Sequence, residues 1–471
     1  MGKREVDLGT EACPIPPDPS RRRRDPWNSG TIIMSVSLSM MIVSNLFMII
    51  VPPTLILPPA VLPPPPPTGS NMLLTKTDGS GNINWSYSYG GLGSDRGFTV
   101  IQTIDDGFAV VGSTDSFGMN AYSIWLVRTD RNGYLIWNRT HGSLENQYGY
   151  DIVELADGGF AITGSVQTPT QSTDVILIRV DFLGNKLWEK TFGGPLSDVG
   201  HSIVRCMDGG LAIGAVTSSY GAGSSDMWLI RTDANGNLLW DRTYGSPERD
   251  WANSLIRLRD GGFAFVGYSQ SGGQNDASLI RLDSQGNPMW NGSYGDSESQ
   301  RGWTAAECRD GGFAIVGSEG VGGTEDGWLG RTDSDGDMLW SVTYGGFGSD
   351  AGYSVVECEN GDFVIAGKDA GNLWLGRTND EGGLEWSIAF DGIHSGLGFL
   401  LTGCRDGGFA FTGRILTRAS MSRSLEKLSD SRSAEVENSI FECDVIPCFR
   451  FLQRTIVVFR ESQPDCAFSQ Q

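Results

Sequence analysis

Three histidines are all that this chain of 471 residues holds, and His141, His201 and His394 stand in unrelated positions. No two of them read as a metal site or an acid-base couple, so the usual carriers of zinc hydrolysis and of histidine-driven nucleophilic catalysis are missing. Basic charge is also short, with 35 Lys and Arg against 56 Asp and Glu and a formal net charge of -21. A phosphate-binding surface needs a basic stripe; none interrupts the body of the chain, which excludes nucleic acid as a partner. Past Gly413 both glycine and tryptophan vanish, and residues 414–471, with Cys443, Cys448 and Cys466, read as a tail without legible architecture.

What the chain has in excess is glycine, at 65 residues, and a tryptophan that returns. Trp85, Trp137, Trp188, Trp240, Trp290, Trp340 and Trp386 are each followed 23 residues later by a strand-opening apolar residue, from Phe108 to Phe409. Seven residues before each tryptophan stands Asp78, Asp130, Asp181, Asp233, Asp283, Asp333 or Asn379. A period of about 50 residues carrying strand-like alternation is the mark of a radial β array. All variation in length falls between the strand-opening residue and the next turn residue, where the interval runs 22, 21, 22, 20, 20 and 16. One loop per unit changes, on one face, which is how a repeat scaffold meets a partner.

Within the unit from Trp240 to Trp290, Ser254 to Leu258 and Phe263 to Gly267 flank an Asp-Gly-Gly turn. Ser278 to Leu282 then lead through an Asp-x-x-Gly turn to the next tryptophan strand. Such turns between apolar runs are hairpin signals, because they permit positive φ at the tip. The prediction is an all-β fold: a seven-bladed β-propeller of four-stranded antiparallel blades over residues 72–413, preceded by one transmembrane helix. Leu73 to Trp85 read as the last two strands of a unit and Phe409 to Gly413 as the end of a unit lacking them. Joining the two closes the ring and buries both sheet edges. Ser424 to Asp430 faintly echo the missing strand and leave an eighth, partial blade as the alternative count.

These units resemble the WD40 and kelch propellers and, more closely, a group of secreted prokaryotic repeat proteins carrying Asp-Gly-Gly-Phe, Trp-Leu-Ile-Arg-Thr-Asp and Trp-x-x-Thr-Tyr-Gly. The three elements stand here at Asp260 to Phe263, Trp228 to Asp233 and Trp240 to Gly245. The resemblance covers the repeat region and implies the propeller fold. The WD40 Trp-Asp dipeptide is missing from its usual strand end, so no WD40 partner carries over. The turn also resembles that of quinoprotein blades, but the Asp-to-Trp interval is shorter by one and no adjacent cysteine pair is present.

Ahead of the repeats, Arg21 to Arg24 precede 21 uncharged residues, Thr31 to Val51, a length that spans a bilayer. Arginines on the N-terminal flank place residues 1–30 in the cytoplasm and the repeats outside, a single-pass protein of the cell membrane. A cleaved signal peptide is the rival, although no A-x-A site follows. Residues 52–71 are proline-rich and read as a stiff polyproline II stalk.

On the variable-loop face, Asp95, Asp198, Asp250 and Asp350 stand beside a position 13 residues after each repeat tryptophan, filled by Phe98, Tyr150, His201, Asn253, Trp303, Tyr353 and Phe399. If the strand they open is innermost, these rings circle the channel mouth, as wedges between blades or as a stacking surface for sugars or peptides. The six rings and the four acids are the candidate binding residues. Lys76, Arg128, Arg179, Arg231, Arg281, Arg331 and Arg377 recur two positions before the turn residue and are expected to pair with Asp inside each blade. Cys206, Cys308, Cys358 and Cys404 share a position with Leu155 and Leu258, which marks packing. Asp333, Asp335 and Asp337 imitate a calcium loop, but Tyr344 stands where the closing Glu belongs, so the segment reads as a hairpin.

No catalytic residue, metal or cofactor is expected. The expected function is a membrane-anchored cell-surface module that recognises or adheres to a glycan, cell-wall polymer or protein through its variable-loop face. The alternative is an extracellular propeller enzyme, polysaccharide-cleaving or quinoprotein dehydrogenase-like, for which Arg96, Arg249, Arg301 and Glu325 are the charges that break the repeat.

Overall fold

The computed structural model describes residues 69–416, apart from 119–120, 296–297, 321–323, 347 and 395–400. The candidate membrane span 31–51, the segments on either side of it up to residue 68, and the tail after Leu416 with the Ser424 to Asp430 echo lie outside the described residues. Among the described residues no helix is long and apolar enough to cross a membrane.

Five blades are separate four-stranded antiparallel sheets in sequence order, as in Asp198–Arg205, Leu211–Thr217, Asp226–Thr232 and Leu238–Tyr244. The sixth, from Ala351 to His394, has the same order and touches the seventh through Ile393 and His394, which pair with Ile415 and Arg414. The seventh blade takes Leu401–Gly403 and Phe409–Leu416 from one end of the repeats and Ser70–Thr77 and Ile83–Tyr89 from the other. Their register runs from Ser70 against Leu416 to Thr77 against Phe409, slightly beyond the 72–413 read from the sequence. The array is a closed seven-bladed propeller.

The two middle strands of a blade face a neighbouring blade on both sides, which is why Phe108–Thr114 and Ser123–Thr129 are buried at every position. Outer strands have one neighbour and water beyond, and most of Leu238–Tyr244 is exposed accordingly. Seven hydrophobic clusters lie one at each blade interface. One joins Ala161, Val175 and Leu177 of the second blade to Ile213, Trp228 and Ile230 of the third. Another joins Met72 and Leu74 of the closing blade to Val100, Phe108 and Trp125 of the first. Apolar burial of this kind contributes about 25 cal/mol per Å² and holds the ring together.

The period written in the sequence is an interblade clasp. Each repeat tryptophan lies on an outer strand and covers the Asp-x-x-Gly turn of the next blade. A Cβ on Gly286, at φ 77, would stand 2.7 Å from the Trp240 ring, and Gly133 faces Trp85 in the same way. Tyr89, Tyr244, Tyr294 and Tyr344 donate their hydroxyls to the carbonyls of Gly133, Gly286, Gly336 and Gly382 at 2.5 to 2.8 Å. His141 takes the same position in the first blade, where burial lowers its pKa to about 4.

The recurrent third-strand cations pair inside their blades with the acid of the Asp-Gly turn, as expected: Arg179 with Asp157 and Arg231 with Asp208 at 2.5 Å, and Lys76 with Asp406 at 2.9 Å across the ring closure. In the sixth blade that turn reads Glu-Asn-Gly-Asp, and Arg377 turns to Asp362 at 2.7 Å instead. Cys206, Cys308, Cys358 and Cys404 are free thiols, and burial pushes Cys206 to about 11 and Cys308 and Cys404 to about 12. Asp333 accepts the backbone N–H groups of Asp335 and Asp337 at 3.0 and 2.9 Å, the hairpin turn that the repeat implies.

Candidate ligand face at the channel mouth

The innermost strands contact one another around a central channel, and those of the first six blades carry the same irregularity. Between Gly97 and Thr99 the register slips by one residue, and likewise at Gly149/Asp151, Gly200/Ser202, Ala252/Ser254, Gly302/Thr304 and Gly352/Ser354. The residue left unpaired at the bulge is Phe98, Tyr150, His201, Asn253, Trp303 or Tyr353, the position picked out by the tryptophan period. A bulge re-aims a side chain and bends its strand. The facing strand accommodates it with glycine: a Cβ on Gly112, Gly164 or Gly267 would lie 1.8 Å from the carbonyl oxygen of Arg96, Tyr148 or Trp251.

The candidate rings divide. Phe98 and Tyr353 are buried between blades, whereas Tyr150, His201 and Trp303 are half-buried, and Phe399 lies outside the described residues. A second row lies two residues earlier on the same strand, on the face that alternation gives both, and the tryptophan period does not mark it: Arg96, Tyr148, Trp251 and Arg301. Together with Tyr122 and Tyr268 these make one continuous run of ring contacts. Tyr122 to Tyr148 is 5.4 Å, Tyr148 to Tyr150 is 6.3 Å, Tyr150 to His201 is 5.6 Å, His201 to Trp251 is 5.8 Å and Trp251 to Tyr268 is 6.4 Å. Guanidinium groups cap the run, with Arg96 5.7 Å from the Tyr122 ring, Arg301 5.7 Å from Tyr268 and Arg249 4.6 Å from Trp251. Trp303 and Tyr353 form a separate edge-to-face pair at 5.3 Å. The indole nitrogen of Trp303 and Nε2 of His201 are buried without a hydrogen-bond partner, and burial lowers the His201 pKa to about 4.

Asp95, Asp198, Asp250 and Asp350 are buried, and their carboxylates are engaged by the loops of their own chain. Asp198 accepts from Gly194 N at 2.8 Å, Thr217 Oγ1 at 2.5 Å and Ser219 Oγ at 2.7 Å, tying the loop ahead of its strand to the variable loop. Asp95 repeats the arrangement with Gly91 N, Thr114 Oγ1 and Ser116 Oγ. Asp250 holds Ser246 N at 2.6 Å, and Asp350 holds Gly346 N at 2.9 Å and Ala370 N at 2.8 Å. They shape the face rather than project from it.

One further acid breaks the sevenfold pattern at the centre. Asp151 fills a position held elsewhere by Thr99, Ser202, Ser254, Thr304 and Ser354, and it accepts from Ile152 N and Ile203 N at 2.8 Å each and from Ser202 Oγ at 3.1 Å. Burial raises its pKa to about 6 against those bonds. A lone carboxylate in a column of hydroxyls is the signal that would have found it. Of the charges that break the repeat, Arg301 and Glu325 come together at 3.9 Å.

A second concavity of about 390 Å³ opens beside the sixth blade, lined by Tyr344, Lys368, Asp369 and Trp374 among others. It exists because the variable loop is shortest there, reduced to Ala370 and Gly371, both at positive φ. Longer loops elsewhere lay a ring over the equivalent tryptophan, Phe117 at 5.5 Å from Trp125 and Tyr220 at 5.3 Å from Trp228.

Fold and face together define a seven-bladed β-propeller compatible with a binding module. No protein-family model matches the chain. It is 28% identical over 203 residues to the regulatory protein FlaEY of Caulobacter vibrioides, a match covering 37% of this chain and 21% of that protein. Among solved structures it is similar to puromycin hydrolase, with a TM-score of 0.44 and 14% identity over 65% of this chain and 49% of the hydrolase. It is also similar to Sqt1 of Chaetomium thermophilum bound to the N-terminus of the ribosomal protein L10, with a TM-score of 0.40 and 12% identity over 68% of this chain and 96% of Sqt1. The chain thus spans about a fifth of FlaEY and half of the hydrolase, and likeness at this level extends to neither substrate nor partner.

Proposed function

We propose that this protein is a recognition module that binds a glycan through the channel mouth and variable-loop face of its propeller, held at the cell surface by residues 31–51. The observation that carries the reading is the unbroken run of half-buried rings from Tyr122 to Tyr268. Flat apolar faces with N–H and O–H groups at their edges suit the C–H faces and hydroxyls of sugars. Loops that differ in length from blade to blade surround the run and give each edge of the mouth its own contour.

Incubation of the full chain, in detergent micelles, with an immobilised glycan array tests the reading. Capture by wild type, together with loss on Trp251→Ala or Tyr148→Ala in variants that keep their near-UV circular dichroism, supports it. A wild-type chain that retains no glycan sinks it. Membrane attachment is tested separately, by fractionating cells that express the chain with and without residues 31–51.

A further inference from the structure

The charge at the channel mouth runs against that of the whole chain, whose net is -21. Arg96, Arg249, Arg301 and Arg414 gather there. Third-strand arginines elsewhere each hold an aspartate, whereas Arg96, Arg249 and Arg414 have no carboxylate within ion-pair distance among the described residues, and Arg301 reaches Glu325 only at 3.9 Å. Arg414 occupies the position of Ser113 and Ser165 in the closing blade, whose strand packs on the first strand of the first blade so closely that a Cβ on Gly97 would strike the Thr412 hydroxyl, and this sets Arg414 beside Arg96 and Tyr122. Burial and the neighbouring Arg96 both pull its guanidinium below the usual arginine range. Nε of Arg96 and Nε of Arg414 are buried without a hydrogen-bond partner. Two guanidinium groups set together, partly desolvated and without a counter-charge, are unfavourable until an anion joins them. A planar carboxylate matches their fork geometry.

We infer that the mouth binds a carboxylated sugar, a uronate unit of an acidic glycan, with its carboxylate between Arg96 and Arg414 and its ring against Tyr122 and Tyr148. The inference rests on the recognition reading above and adds the charge of the ligand. A polyphosphate chain is disfavoured because its dense charge meets the acidic body of the propeller. A uronate carries one charge per ring and keeps an apolar face for stacking. The second arginine pole, Arg249 over Trp251 and Arg301 over Tyr268, repeats the combination of guanidinium and ring and suits a further acidic unit of the same polymer.

The full chain in detergent micelles is titrated with polygalacturonate and with the same polymer fully methyl-esterified, which preserves the rings and removes the charge. The acid form should bind at least about tenfold more tightly than the ester and weaken as salt is raised. Arg96→Gln and Arg414→Gln should each lose about tenfold toward the acid form, with partial recovery in Arg96→Lys. Should either glutamine variant unfold, Arg249→Gln, on an exposed side chain, supplies the same comparison. Equal affinity for acid and ester overturns the carboxylate inference while leaving ring recognition standing, as does unchanged affinity in the folded glutamine variants. Binding of neither polymer overturns it as well, and the neutral sugars of the array then judge the recognition reading on their own.

Discussion

The hydroxyl of Tyr244 reaches across a blade interface to the carbonyl of Gly286 at 2.7 Å, and the side chain that Gly286 lacks leaves room for Trp240 to lie on the same turn. One residue in the turn serves two partners on the preceding outer strand. Gly286→Ala should therefore combine the strain of a positive φ with a collision against the indole, destabilising the protein by on the order of 2 to 4 kcal/mol. Denaturant unfolding of the full chain measures it. Gly209, whose φ is 83 and beside which an added Cβ meets nothing within 4 Å, provides the control: Gly209→Ala should cost about 1 kcal/mol, the backbone part alone.

Asp198 gathers three donors from two loops. Asp198→Ala leaves them facing an apolar gap and should cost about 2 to 4 kcal/mol, with amide exchange accelerated first at residues 193–197 and 218–221. Exchange unchanged in both loops would falsify the view that the acid holds them together.

Closing the ring depends on Ser70–Thr77 lying against Phe409–Leu416. Leu74, fully buried in the cluster shared with the first blade, is the test position. Leu74→Ala should cost about 2 to 5 kcal/mol, and amides at both ends of the repeats should lose protection together. Loss confined to residues 70–77 would show that the two ends are not coupled.

Three titratable groups shifted by desolvation set opposite slopes in acid. Asp151 has its pKa raised to about 6 by burial, so stability falls as pH rises from the ordinary carboxylate range to about 6 and is level above that. His141 and His201 are held near 4 by burial, so the stability they contribute is present above about 6.5 and is lost as pH falls toward 4. Over pH 4 to 6 the effects oppose each other. Asp151→Asn should steepen the net loss on acidification, and His201→Phe should flatten it, each by on the order of 2 kcal/mol across the window. Melting temperatures at pH 7, 6, 5 and 4 give the slopes.

The tryptophan period was enough to read the blade, the ring and the union of the two ends of the repeats in one blade, because a clasp repeated at each interface must be spelled out each time. The arginine to aspartate pairs were legible for the same reason. The mouth was only half legible. Phe98, Tyr150, His201 and Trp303 recur in register, but Tyr148 and Trp251 share their position with Arg96, Val199, Arg301 and Ala351, so no column marks them. Alternation along the strand sets this second row on the same face as the first, but no residue type repeats in it to draw the eye. Asp95, Asp198, Asp250 and Asp350 begin strands next to variable loops, as their positions imply, but the strand pattern does not show the donors that fold back from those loops and bury them.

Because the seventh blade is shared between the two ends of the repeats, a ribosome makes Ser70–Thr77 more than three hundred residues before its partner Phe409–Leu416 emerges. Through that interval the early strand presents a bare, apolar edge to its surroundings. Such an edge invites pairing with other chains until the last strand arrives. The seam is thus the part of the ring that stays open to mispairing longest during synthesis, and a helper that shelters that first hairpin would raise the yield of intact rings.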